Sequence, residues 1–200
     1  MTGDGFLAIW SDVAKEDETD YLHWLTREHI PERLSVAGFL TCRVFRADSD
    51  SPRYLIIYTL GNYKVLSSGE YIARLNDPSE WSQRTMRKLF NFKRGGGTVR
   101  MHKAWGSGGV IAALADCDVD ALQFEALANS ELIVATSLFQ TDRAATDIPT
   151  HEKKLREHDN SFNQLLLIEG LTEAAVAKCV GLAPCSPPPD FLFYRQVFAR

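Results

Sequence analysis

Hydrophobic and polar residues alternate along short runs that are separated by stretches with helical periodicity, and this order occurs twice. The first copy has an extended run, a helical stretch, two more extended runs, a second helical stretch and a closing run. From residue 110 the same order starts again. The sequence therefore predicts two β-α-β-β-α-β units. The extended runs lie at residues 6–10, 39–46, 54–60 and 99–105, and then at 110–115, 132–140, 162–168 and 191–198.

A chain of 200 residues can form two units of about a hundred residues each. The run Gly106-Ser107-Gly108-Gly109 is the clearest linker. We therefore expect an α+β protein in which residues 1–105 form one ferredoxin-like unit, 106–109 the linker and 110–200 the second unit. Packing the two sheets face to face would cover the face that each unit exposes, and would make one pseudo-dimeric α/β barrel.

Period-two alternation divides each early strand into an aliphatic face, suited to helix packing, and an aromatic face, suited to a contact with the second sheet. This division into two faces is consistent from one strand to the next. The aliphatic face collects Leu7, Ile9, Leu40, Cys42, Val44, Leu55 and Ile57, and the aromatic face collects Phe6, Trp10, Phe39, Arg43, Phe45, Tyr54, Ile56 and Tyr58.

Two other segments of the sequence are expected to be irregular. Gly95-Gly96-Gly97 is predicted to be a flexible approach to the fourth strand, and it lacks the features of a phosphate-binding loop. An insertion at residues 143–160 separates the middle strands of the second unit and carries His151 and His158. Its charged residues favour an exposed loop or helix.

Charge and composition narrow the classes of partner. The formal net charge is −4, and 45% of residues are hydrophobic, as in an ordinary globular protein. A basic cluster ends one predicted helix, where it is most simply a solvated surface, so no nucleic-acid partner is expected. This cluster consists of Arg84, Arg87, Lys88, Lys93 and Arg94.

The chain is expected to be cytoplasmic and to have no membrane partner. No apolar run approaches the roughly 20 residues that a membrane helix needs, and the first residues lack the pattern of a signal peptide. The four cysteines have neither metal-site spacing nor the density of a disulfide framework, so reduced thiols are expected.

The segment 21–33 is the chemically distinctive part of the chain. Steps of 100° place His29 on one side of a helix with Leu22, Leu25 and Arg33, so His29 should face the sheet. Pro31 lacks a backbone donor and should kink or restart the helix near His29. A buried imidazole can titrate near neutrality and act as an acid or base. The alternative is a core histidine bonded to a backbone carbonyl.

The motif Trp24…Glu28-His29-Ile30-Pro31-Glu32, followed by Gly38-Phe39 and Arg43, resembles the dimeric α/β-barrel superfamily, and within it the EthD-like group. The resemblance covers about the first hundred residues. It implies a ligand pocket between helices and sheet, with His29 pointing in. The second unit has nothing that matches Glu28-His29-Ile30-Pro31, so it is expected to be a structural partner.

The resemblance implies a cofactor-independent isomerase, cyclase or dehydratase acting on a small aromatic or lactone-like compound. His29 would be the acid or base, with Arg43 or a tyrosine at the developing oxyanion. Trp24, Tyr54 and Tyr58 are the candidate pocket residues.

Two other functions stay open. The chain is alternatively a non-catalytic binding or accessory module, its pocket filled by side chains. A haem-binding oxidoreductase is the third hypothesis, with His29 or His102 as axial ligand. No spacing of Asp, Glu or His favours a metal site. A small-molecule ligand is expected, no cofactor is required, and a homo-oligomer is left open.

Overall fold

The computed structural model describes residues 3–47, 53–156, 159–185 and 193–200, and these form a closed barrel of eight antiparallel strands with helices packed outside it. The eight predicted strand positions are confirmed to within a few residues, except that the fourth strand begins nine residues early. The strands are β1 (Gly5–Asp12), β2 (Phe39–Ala47), β3 (Tyr54–Leu60), β4 (Phe90–Ala104), β5 (Val110–Ala115), β6 (Ile133–Thr141), β7 (Gln164–Gly170) and β8 (Phe193–Ala199).

The order of strands around the barrel is the same in its two halves. It runs β4-β1-β3-β2 in the first half and β8-β5-β7-β6 in the second. The halves meet where β2 pairs with β8 and where β4 pairs with β6. Residues 105–109 lie between β4 and β5, at the place predicted for the linker.

Most of the helices begin at residues whose side chains cap them, whereas α1 and α2 have no side-chain cap. Ser68, Ser79, Asp120 and Thr172 each accept a hydrogen bond from the backbone N–H three residues later. The helices are α1 (Glu18–Trp24), α2 (Ile30–Leu34), α3 (Gly69–Asn76), α4 (Glu80–Met86), α5 (Ala121–Ala128), α6 (Arg143–Thr146), α7 (His151–Lys154) and α8 (Glu173–Val180).

Three apolar cores result, one inside the barrel and one under the helices of each half. Every residue of β1 is buried because its two faces belong to two different cores. Inside the barrel, Phe6 stacks on Phe139 with ring centroids 4.6 Å apart, and Trp10 meets Phe162 edge-on at 5.3 Å. The predicted contact of aromatic side chains between the halves is confirmed for Phe6 and Trp10.

The predicted assignment of the β3 residues to the two faces of the sheet is wrong. Tyr58 lies opposite both Leu7 and Cys42 in the antiparallel pairings, so it shares their helix-covered face. Tyr54 and Ile56 lie on that face as well, whereas Leu55 and Ile57 point into the barrel. Phe39 also lies on the helix side, because the register of β2 shifts after it, and Leu40 is exposed.

The triple glycine is not a flexible approach but part of β4. A side chain at Gly95 would lie 2.5 Å from the ring of Phe162, and one at Gly97 would lie 2.1 Å from the carbonyl oxygen of Gln140. The absence of side chains lets Phe162 fill the barrel and lets β6 pair closely.

Two further expectations are corrected. The insertion is not simply exposed, because Thr150 and Glu152 are buried against the first half; His158 lies outside the described residues. Cys117 and Cys185 form a disulfide, while Cys42 and Cys179 are free and buried. Because disulfides are typical of oxidising compartments, the cysteines no longer support a cytoplasmic location, which stays a prediction.

Among the described residues, no helix has both the length and the apolar character that crossing a membrane requires.

Candidate functional site

A π-helical turn places the candidate base. Between α1 and α2 the chain continues as a π-helix, Leu25–His29, in which the N–H of Ile30 donates to the carbonyl of Leu25. Pro31 has no N–H, and the predicted irregularity near His29 is therefore confirmed. Such π-turns within helices are frequent at functional sites. The wider turn leaves Leu25, His29 and Arg33 all buried toward the sheet.

A cavity lies between this helix and the helix-side face of β1 and β3. The space open to the centre of a water molecule is about 40 Å³, enough for a few waters or a very small ligand. His29 and Tyr58 line it from the first half, and Thr150, Glu152 and Arg156 line it from the insertion of the second half. The site is therefore built from both halves of the barrel.

His29 is buried with 6% of its surface exposed, as predicted. Its Nδ1 atom has no hydrogen-bond partner among the described residues, so this nitrogen does not make the bond to a backbone carbonyl that the core-histidine alternative expects. Burial lowers the pKa of His29 well below 6.5, and the nearby charges of Arg33 and Arg156 lower it further. The expected titration near neutrality is therefore corrected: the imidazole is neutral at physiological pH and can accept a proton.

The hydroxyl of Tyr58 is a second unsatisfied group on the same cavity. It is buried, and the Cys42 thiol lies beside it, but the hydroxyl has no hydrogen-bond partner of good geometry in the described part of the chain. Burial raises the pKa of Tyr58 well above 10, so the phenol keeps its proton. A neutral hydroxyl of this kind can donate a hydrogen bond to a ligand oxygen.

Trp24 fixes the orientation of His29. The two rings pack with centroids 4.4 Å apart. The Trp24 indole donates to the Ser82 hydroxyl at 3.0 Å, and Ser82 donates to Glu28 at 3.2 Å. Two residues of the sequence motif, Trp24 and Glu28, thus connect the His29 helix to Ser82 of α4.

Arg33 and Glu152 form a buried ion pair beside the cavity, with exposed side-chain fractions of 2% and 6%. Arg33 also donates to Glu32 at 3.1 Å. Burial raises the pKa of Glu32 above its usual 4.5. The pair joins the π-turn helix to α7 of the insertion.

The other charged residues that line the cavity are cations. Arg94 donates to the carbonyl of Thr146 at 3.1 Å and to the Tyr71 hydroxyl at 3.2 Å. Lys153 and Arg156 come from the insertion. With Arg33, four cations and one carboxylate, that of Glu152, line the cavity.

The structure does not bring the other two predicted site residues to this cavity. Arg43 binds Glu169 at 2.9 Å and Gln196 at 2.7 Å where the two halves meet. Tyr54 donates to Glu18 at 2.5 Å and lines a separate surface groove on the other side of α1. Of the predicted residues, His29, Trp24 and Tyr58 are brought together.

Haem does not fit the cavity in this structure. Pockets for ligands of that size measure roughly 300–1,000 Å³, several times the space beside His29. His102, the other candidate axial ligand, shares a 2.9 Å hydrogen bond with Ser137 and lines neither cavity beside α1. His151 is exposed. The described residues contain no group of three or more His, Cys, Asp or Glu side chains placed to hold a metal ion.

The second half has an apolar core of its own. Phe124, Leu138 and Val176 are among its buried side chains under α5 and α8, and no histidine of the second half is among the buried residues that the structure describes. That the second half lacks a His site of its own stays a prediction. Its insertion nevertheless completes the site of the first half.

Sequence reasoning missed four charged lining residues: Arg94, Glu152, Lys153 and Arg156. For Arg33 a signal existed, since a cation on the buried stripe of His29 needs a buried partner. Nothing in the sequence identifies Glu152 as that partner, because the two residues are 119 positions apart.

No protein-family model matches the chain, and no curated protein matches it in sequence. Solved structures do share its fold. A candidate monooxygenase from Fusobacterium nucleatum subsp. nucleatum has a TM-score of 0.57 at 12% identity, over 100% of this chain and 95% of that one. An anthrone oxidase-like protein has a TM-score of 0.57 at 11% identity, over 100% and 93%.

A candidate chlorite dismutase has a TM-score of 0.57 at 11% identity, over 98% of this chain and 96% of that one. At these identities the likeness is one of fold. The chain has the dimeric α/β-barrel fold, with a closed antiparallel barrel and helices outside it.

Proposed function

We propose that the chain is a tandem of two ferredoxin-like units, residues 1–105 and 110–200 joined by the linker 106–109, and that it is related to the EthD-like group. The repeated strand order in the two halves supports the tandem. The motif around His29 supports the relationship, because its residues pack together at the cavity.

We further propose that the first unit is a cofactor-independent enzyme that moves a proton on a small aromatic or lactone-like compound. The observation that carries this proposal is the pairing of two incompletely satisfied groups on one cavity: a neutral imidazole with an unpartnered Nδ1 and a protonated phenol whose hydroxyl has only the Cys42 thiol beside it. Buried polar groups are normally satisfied, and unsatisfied ones at a cavity are suited to a ligand.

The chemistry needs one base and one hydrogen-bond donor. His29 removes a proton from a C–H bond next to a carbonyl, and the electron pair of that bond moves onto the carbonyl oxygen. Tyr58 donates a hydrogen bond to this developing oxyanion. Return of the proton from His29 to another carbon gives an isomer and leaves the enzyme unchanged. Arg43 has no part in this step, because it lies outside the cavity.

The cavity must widen for a ring-shaped ligand. A benzene-sized ligand occupies roughly 150 Å³, against about 40 Å³ here. The four-residue helix α7 forms part of the wall, held by the Arg33–Glu152 pair and by a 3.0 Å bond from the His151 N–H to Asn76. A small displacement of α7 would enlarge the cavity without disturbing the barrel.

Two of the solved structures with this fold are described as a candidate monooxygenase and an anthrone oxidase-like protein. By analogy of fold, they suggest that reaction with dioxygen can follow the same proton removal. The carbanion left by proton removal is an intermediate from which either isomerisation or reaction with dioxygen can follow. Oxygen consumption therefore separates these two outcomes of the same first step.

The test is deuterium exchange. A panel of small phenols, anthrone-type ketones and lactones is incubated with the protein in deuterated buffer, and incorporation at carbon is followed by NMR beside an oxygen electrode. We expect incorporation into at least one compound, and a loss of about 10²-fold or more in His29→Asn. His23→Asn, an exposed histidine on the same helix, should leave the rate unchanged.

Two results would contradict the proposal. One is exchange that is equally fast in His29→Asn and in the unaltered protein. The other is an absence of exchange with compounds that bind and raise the melting temperature, which would favour the non-catalytic binding module.

A further inference from the structure

Unsatisfied polar atoms concentrate at the His29 cavity. Six buried side-chain polar atoms of the described residues have no hydrogen-bond partner, and three of these are threonine hydroxyls. The other three belong to His29, Tyr58 and Arg156, and all three residues line this cavity. Proton transfer accounts for His29 and Tyr58. Arg156 is left without an explanation.

Arg156 is a nearly buried cation whose hydrogen bonds are incomplete. Its side chain is 4% exposed. One terminal nitrogen is 3.3 Å from Asp159, the other is 3.5 Å from the Met86 sulfur, and Nε has no partner. The guanidinium carbon lies 4.0 Å from the centre of the Phe92 ring. Because a guanidinium can bind a carboxylate through two parallel N–H groups, and Nε is a buried donor without a partner among the described residues, Arg156 keeps the capacity to bind an anion.

Two more cations line the cavity with Arg156. Arg94 has no carboxylate partner in the described ranges, since its guanidinium binds only the Thr146 carbonyl and the Tyr71 hydroxyl. Lys153 is 3.6 Å from Asp147. Burial lowers the pKa of Lys153, and the neighbouring charge of Arg94 lowers it further. The three cations thus face two carboxylates, those of Asp147 and Asp159, and the charge of Arg94 has no carboxylate partner among the described residues.

We infer that Arg156, Lys153 and Arg94 form a carboxylate subsite, and that the compound taken by this pocket is a small organic acid. The inference rests on the proposed function for the identity of the pocket, and it specifies the substrate class. It also gives the insertion at 143–160 a role, because two of the three cations belong to it.

The subsite would act on the base as well. The charges of Arg33 and Arg156 contribute to the low pKa of His29. A bound carboxylate offsets this positive charge, so it raises the pKa of His29 and strengthens it as a proton acceptor. Binding of the acid would thus prepare the base that acts on it.

The test compares two acids with their uncharged amides. Acetate and propionate need less widening of the cavity than a ring does, and acetamide and propionamide have nearly the same shape without the charge. Binding to the full chain is measured by isothermal titration calorimetry at constant ionic strength. We expect the acids to bind at least tenfold more tightly than the amides.

The variant Arg156→Gln should weaken acid binding by about 10-fold to 100-fold, as expected for loss of a hydrogen bond to a charged group. Lys153→Gln should weaken it as well, and serves as a second variant if Arg156→Gln unfolds. Arg87→Gln removes the same charge from an exposed position and should bind as the unaltered protein does. In NMR titrations, propionate should raise the pKa of His29.

Equal binding of acids and amides, or acid binding that survives in both Arg156→Gln and Lys153→Gln, would overturn the inference. The two proposals can fail separately. Acid binding without His29-dependent exchange would contradict the proposed enzymatic function and would still support the carboxylate subsite. Exchange of uncharged compounds without acid binding would contradict the carboxylate subsite and would still support the proposed enzymatic function.

Discussion

The guanidinium of Arg33 and the carboxylate of Glu152 form a buried ion pair, although 119 positions separate them in the chain. Arg33 follows the candidate base His29 by one turn of the same helix, and Glu152 belongs to the insertion of the other half. This one contact therefore contributes both to the position of the insertion over the cavity and to the electrostatics of the cavity.

Glu152→Ala should destabilise the protein by about 3 kcal/mol or more, because removal of one partner of a buried pair leaves an uncompensated charge. The 3.1 Å bond from Arg33 to Glu32 offsets part of this loss. Urea unfolding measures the change. The control is Glu173→Ala, which removes the half-exposed pair with Arg195 and should cost less than about 1 kcal/mol. Similar losses in both variants would contradict a buried pair.

Tyr58→Phe should separate stability from activity. The lost hydroxyl has no hydrogen-bond partner of good geometry and only the Cys42 thiol beside it, so the free energy of unfolding should change by less than about 1 kcal/mol or rise. The rate of proton exchange should fall by about 10²-fold, the effect of removing one oxyanion donor.

Tyr54→Phe is the matched control, and the opposite pattern is expected for it. The Tyr54 hydroxyl donates to Glu18 at 2.5 Å and lies outside the cavity. Its loss should cost about 1.5–3 kcal/mol and leave the exchange rate unchanged. Equal effects of the two substitutions on exchange would argue against a direct role for Tyr58.

Local patterns in the sequence predict much of this fold and the centre of its site. The alternation of residues along β1 identifies the faces of Phe6 and Leu7 correctly. The 100° spacing places His29 toward the sheet, and Pro31 marks the irregular turn. Each of these properties depends on neighbours within about one helical turn or one strand.

Properties that depend on distant parts of the chain are not predictable in this way. Alternation divides β3 into two faces but does not say which face meets the helices; the pairing of Tyr58 with Leu7 decides that. The burial of Glu152 depends on a pocket formed by the other half. The role of Gly95 depends on Phe162, a residue far along the chain.

Gly95→Ala should therefore destabilise the barrel, although alanine is ordinarily acceptable in a strand. The added carbon would lie 2.5 Å from the Phe162 ring, which packs against Trp10. Overpacking of a filled core costs about 1–3 kcal/mol. Gly106→Ala is the control, because nothing lies within 4 Å of the added carbon, and thermal unfolding of both variants is the measurement. Equal melting temperatures would show that the barrel interior is loosely packed.

The low pKa of His29 should also appear in the pH dependence of stability. In the unfolded chain His29 takes up a proton below pH 6.5, its ordinary pKa, whereas burial keeps the folded imidazole neutral to much lower pH. Because the unfolded state then binds more protons, the stabilising contribution is present above pH 6.5 and is lost as the pH falls below it.

Urea unfolding at several pH values should show this loss, approaching about 1.4 kcal/mol per pH unit for one group. In His29→Asn the dependence below pH 6.5 should be shallower by up to that amount. Glu32 and His102, whose pKa values are also shifted, are present in both proteins, so the difference between the two curves reports His29. Parallel curves would mean that His29 titrates alike in the folded and unfolded chains, which is incompatible with a buried neutral base at the cavity.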